Sequence, residues 1–82
     1  MLDLRQWALS EAGEFDYELK EAAEKVTLAA VDFARADEVD KKVYHSLLLE
    51  ALASAERQAN EFGRDVAARL AALVLSVIVQ GV

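Results

Sequence analysis

The 82-residue sequence has no cysteine and no proline, and only three glycines, at positions 13, 63 and 81. Without cysteine there is no disulfide framework, no iron–sulfur cluster and no thiolate nucleophile. Without proline, and with breakers at just two internal places, a β-rich fold lacks the turn residues it needs. Histidine and tryptophan occur once each, and methionine only at position 1. Positive charge is scarce: nine Lys and Arg stand against fifteen Asp and Glu, for a net charge of −6 at pH 7. A chain of that sign repels a phosphate backbone or an anionic membrane surface, so neither nucleic acid nor membrane is an expected partner. The opening Met1-Leu2-Asp3-Leu4-Arg5 carries an early acid and no basic stretch leading into an apolar run, so it does not read as a signal peptide. A soluble protein of the cytoplasm is the default expectation.

What the sequence has in quantity is alanine. Hydrophobic residues make up 55% of the chain, and sixteen of them are Ala, which buries little area but favours helix. One domain over residues 1–82, all-α, is the expected unit. No internal repeat, low-complexity tract or linker interrupts it.

Helical spacing divides the chain into four segments, a short first helix followed by three longer ones. Asp3 is a candidate N-cap for the first, whose Leu4, Trp7, Ala8 and Glu11 share a face, with Gly13 placed to end it as a left-handed C′ residue. From Phe15 the series Phe15, Leu19, Ala22, Val26, Ala29 or Ala30, and Phe33 recurs at steps of four and three, predicting a second helix from 14 or 16 to 35. Residues 36–40 contain neither Gly nor Pro, so one continuous helix from 16 to 62 is the alternative. Extending the stripe past Phe33, however, would bury Ala36 or Asp37 and then Asp40 without a visible partner. A break is the reading, with Asp37 as a fresh N-cap and Glu38 and Asp40 in the first turn. The third helix then carries Tyr44, Leu48, Ala51, Ala55, Ala59 and Phe62 on one face, widened by Leu47, Leu49 and Leu52. Gly63 marks its end, Asp65 is placed to cap the fourth, and Asp65 and Arg69 form an i,i+4 pair. So short a connection favours an antiparallel four-helix bundle.

The last segment is the most informative. Residues 70–82 carry no charge, and the helical period sorts the final helix into two apolar stripes. One is Val66, Leu70, Leu73 and Val77, with Val74 alongside; the other is Ala68, Ala72, Leu75, Val79 and Val82. A bundle-surface helix needs one apolar side, so two stripes call for neighbours from two directions. Either this helix is central, flanked by the other three, or its second stripe lies at a dimer seam or against a protein partner. A membrane span is excluded on length, because thirteen charge-free residues rise about 20 Å where a bilayer core needs roughly 30 Å. The β-branched run Val74 to Val79 alternates poorly, and a lone strand would have nothing to pair with.

Chemistry finds little footing. The sole histidine, His45, has Lys41, Lys42, Leu48 and Leu49 as helical neighbours, so no carboxylate or second imidazole completes a metal site. Glu14 with Glu18, and Glu21 with Glu24, face away from the apolar stripe, and solvated carboxylates do not acquire the raised pKa of a general acid. Glu21 with Lys25 and Arg57 with Glu61 read as surface ion pairs. Serines 10, 46, 54 and 76 have no base nearby, and no phosphate-binding, zinc-protease or calcium-loop motif is present. Neither catalysis, cofactor, metal nor small-molecule ligand is expected. The aromatics Trp7, Phe15, Tyr17, Phe33, Tyr44 and Phe62 are expected in the core.

Charge is uneven: residues 1–62 sum to −7 and residues 63–82 to +1. An acidic shell beside an apolar terminal helix suits a solubilising surface, a basic protein partner or nucleic-acid mimicry. The expectation is a non-enzymatic scaffold or self-associating structural bundle; the alternative is a small acidic adaptor or inhibitor that buries the second stripe on a partner. The missing Cys, Pro and internal Met are also choices made in computational (de novo) design, while the unbroken 36–40 junction and the apolar last helix are less idealised than designs tend to be. Natural and designed origins both stay open.

Overall fold

In the computed structural model, which describes residues 3–81, Asp3 turns the chain into its first helix. Its carboxylate accepts the Gln6 backbone N–H at 3.0 Å, and α1 runs over Leu4–Ala12. Gly13 follows with φ −67° and ψ −13°, so it closes the helix in right-handed geometry rather than as the expected left-handed residue. Its N–H still reaches the Leu9 carbonyl at 3.0 Å, and Glu14 and Phe15 continue the turn onto Glu11 and Ala12.

Asp16 starts α2 (Tyr17–Arg35) through its backbone alone: its carbonyl accepts the N–H of Leu19 and of Lys20, both at 2.8 Å, while its side chain makes no cap bond. The break between the second and third helices is present. Ala36 is extended at φ −68° and ψ 145°, and Asp40 donates back to Asp37 across a turn at 3.0 Å. The third helix, α3 (Lys41–Asn60), begins after Asp40, so Asp40 rather than Asp37 holds the N-cap position. Gly63 then takes φ +125°, a value L side chains rarely adopt. Its carbonyl accepts the Ala67 N–H at 3.2 Å, opening α4 (Arg64–Gly81). Asp65 stands inside the first turn instead of capping it.

The four helices form an all-α bundle, with no strand among the described residues. α2 and α4 pack on each other and each touches both α1 and α3, which stand apart on either side. α2 is the most enclosed. Leu19, Val26 and Ala30 are buried on the predicted stripe, and Ala23, Thr27, Val31 and Ala34 are buried beside it. The Thr27 hydroxyl donates to the carbonyls of Ala23 at 2.8 Å and Glu24 at 3.0 Å, and among the described residues no buried side-chain polar atom lacks a partner. Around α2 gather Ala8, Ala12, Phe15, Leu48, Ala55, Ala59, Leu70, Val74 and Val77. Seven of these sixteen residues are alanine, which lets helix axes approach closely. At Gly81 the packing leaves no room for a side chain: a Cβ there would fall 2.6 Å from the Ala34 Cβ and 2.8 Å from the Leu4 Cδ2.

The Cα positions extend 36 × 30 × 17 Å, a slab two helices thick. The outward side of α2 is polar, with Lys20, Glu21, Lys25, Asp32 and Arg35 exposed. Tyr17, expected in the core, stands among them at 91% exposure because it is the first residue of α2, on its outer side. Phe62 is also partly exposed, where the chain leaves α3.

Candidate interface

The outer side of α4 is where the sequence reading meets its test. The first stripe points inward as expected: Leu70, Val74 and Val77 are buried, and Val66 and Leu73 pack against the core. The second does not enter the bundle. Ala68 and Ala72 are exposed, Leu75 is 63% and Val79 73% exposed, and Val82 lies outside the described residues. α4 therefore touches all three other helices, as a central helix would, but from one side only; α2 also touches all three and buries more of its residues. In a slab two helices thick both α2 and α4 keep an outer side, that of α2 polar and that of α4 half apolar.

The exposed half of α4 is itself divided. Asp65, Arg69, Ser76 and Gln80 form a polar ribbon on one edge, and Ala68, Ala72, Leu75 and Val79 an apolar strip on the other. Arg69 does not pair with Asp65. Its guanidinium lies 4.8 Å from the centre of the Phe15 ring, a cation–π contact that seals the seam between α4 and the start of α2. Beside it a shallow groove of about 320 Å³ is lined by Trp7, Glu11, Glu14, Phe15, Arg69 and Ser76. Its one cation already lies over its aromatic floor.

A second apolar strip escaped the sequence reading. Val39, Val43 and Leu47, spaced at steps of four, are all exposed, with Val39 at 88%. Leu47 was expected to widen the buried face of α3, as was Leu49, but only Leu52 of the three packs against the core. The spacing 39, 43, 47 was visible in the sequence; the buried stripe through Tyr44, Leu48 and Ala51 hid it by lying one residue away.

The candidate chemical residues remain scattered. His45 is exposed, its ring 5.5 Å from that of Phe33 and tilted by 43°, with the Lys41 Nζ 5.4 Å from the same Phe33 ring. Glu21 pairs with Lys25 at 3.6 Å and Glu24 with Lys20 at 4.0 Å, in place of the carboxylate pairs considered from sequence. Arg57 and Glu61 form no ion pair among the described residues. Among those residues no group of three or more His, Cys, Asp or Glu could hold a metal ion, and no helix is long and apolar enough to cross a membrane. Comparison with protein-family models, with curated proteins and with solved structures finds no match to this chain.

Proposed function

We propose that this chain is a non-enzymatic structural bundle that assembles with itself through the outer side of α4. The observation that carries the reading is the exposed strip Ala68, Ala72, Leu75 and Val79, contiguous along about three turns of one helix. Burial of such a strip is favourable at about 25 cal/mol per Å². Antiparallel packing within the bundle belongs to the same reading. It is supported by Phe33, late in α2, meeting His45, early in α3, while Ala22, early in α2, shares a groove with Ala55, late in α3. A designed origin is compatible with it.

The acidic adaptor is a second reading, supported by the uneven charge: a basic protein would be drawn to the −7 carried by residues 1–62. Mass in solution across a concentration series separates the two. Self-association predicts a rise from 9.0 kDa towards twice that mass; a chain that stays monomeric at every concentration removes the first reading and leaves the second.

A further inference from the structure

The outer residues of α4 do more than form a strip; they form a seam with a direction. Ala68, Ala72, Leu75 and Val79 follow steps of four, three and four, the a/d spacing of a coiled coil, with Ala68 and Leu75 at d and Ala72 and Val79 at a. The inward Leu70 and Val77 fall at f, directly opposite, so one helix serves the bundle with one side and offers a complete two-heptad seam with the other. The seam is graded in size, small residues in the N-terminal half and large ones in the C-terminal half.

We propose that a second copy of this chain covers the seam in antiparallel register, with Ala72 opposite Leu75 of the second copy and Ala68 opposite its Val79. This rests on the self-association reading above and fixes its geometry. Volume is the first argument. Antiparallel pairing sets each large side chain against a small one, so every layer has a similar total volume and the helix axes stay evenly spaced. Parallel pairing sets Ala against Ala at one end and Leu against Leu at the other, and the helices splay.

Charge is the second argument. Asp65 occupies the a position before Ala68, and Arg64 and Arg69 occupy g and e. A parallel pair would bring Asp65 against Asp65 across the axis and Arg64 against Arg69 along both flanks, where g and e residues five apart meet. An antiparallel pair carries these like charges to opposite ends of the seam. Residues 63–82 sum to +1 while the rest of the chain sums to −7, so this side is also where two acidic copies repel each other least. The occupant is thus a second copy, since the seam complements its own sequence reversed.

A spin label on Asp65→Cys tests the register, because the chain has no other cysteine. The label sits at the exposed start of α4, one turn before the first of the four packed layers. In the antiparallel register the two labelled positions are separated by 17 residues of helix, about 26 Å along the axis at 1.5 Å per residue; in a parallel pair they are neighbours across it. The expected result is a dimer with a label distance near 26 Å or somewhat longer. Leu75→Glu in the same background should weaken association at least 100-fold while circular dichroism stays helical. A dimer with adjacent labels overturns the register and leaves self-association standing. A dimer that persists unchanged in Leu75→Glu places the contact elsewhere and overturns the proposal. A strictly monomeric chain overturns both this geometry and the reading beneath it.

Discussion

Glycine shows how much the surroundings of one residue decide. Replacing Gly by Ala relieves the unfolded chain of entropy worth about 0.4–1 kcal/mol wherever the native geometry tolerates a Cβ. Gly13 has helical φ and ψ, and a Cβ there meets the carbonyl oxygens of Leu9 and Ser10 at 3.4 Å, ordinary contact. Gly13→Ala should therefore leave stability unchanged or raise it by up to about 1 kcal/mol. Gly63 has open space around it but φ +125°, so Gly63→Ala should cost about 1–3 kcal/mol through backbone strain. Gly81 has no strain and no space; Gly81→Ala drives a methyl into Ala34 and should cost about 1–3 kcal/mol by overpacking. Urea denaturation of the three variants checks the order, and Ala34→Gly should recover part of the Gly81→Ala loss and none of the Gly63→Ala loss. From sequence, Gly13 and Gly63 were read alike, as helix ends, and Gly81 was given no role. Nothing local distinguishes the strained from the crowded one, because crowding at Gly81 comes from Leu4 and Ala34, far away in the chain.

At the scale of the helix, periodicity was legible wherever large residues marked the buried side. The stripes through Leu19, Val26 and Phe33, through Leu48 and Ala55, and through Leu70 and Val77 all face the core. The break at 36–40 was legible from the cost of burying Asp40. What escaped was the second buried side of α2, formed by Ala23, Thr27, Val31 and Ala34, because three of the four are alanine or threonine, which carry little hydropathic signal and are equally at home on a surface. Two apolar sides were looked for on the last helix, where they were conspicuous, and the enclosed helix was the one with quieter residues. The consequence for α4 is measurable. Leu75→Glu and Val79→Glu should retain a cooperative unfolding transition, changing monomer stability by no more than about 0.5–1 kcal/mol as exposed substitutions do. Leu70→Glu, which buries an unpaired charge, should remove most of the few kcal/mol that hold a domain this small and abolish the transition. If Leu75→Glu also unfolds the chain, the outer strip is internal to the fold and not a surface.

For the whole molecule, one slab surface is polar along α2 and the other half apolar along α4, and the net charge of −6 is the sum of −7 on residues 1–62 and +1 on residues 63–82. Which helix would be enclosed depends on how three connections of a few residues each steer the packing, and that is a property of the assembled bundle that no single stretch of sequence encodes. The division of charge was legible at once, and it bears directly on assembly. Two copies meeting back to back bring together −12 in total while their contacting strips are uncharged, so attraction is apolar and short-ranged, and repulsion is electrostatic and long-ranged. Salt then acts on one term and not the other. Raising ionic strength from about 0.01 M to about 0.15 M shortens the screening length from about 30 Å to about 8 Å, less than half the 17 Å thickness of the slab. The dissociation constant of the dimer should fall several-fold over that range, as sedimentation equilibrium would register. An interface held by ion pairs responds in the opposite sense. Salt-induced dissociation would therefore mean that the copies meet through charged surface elsewhere, leaving the α4 seam uncovered.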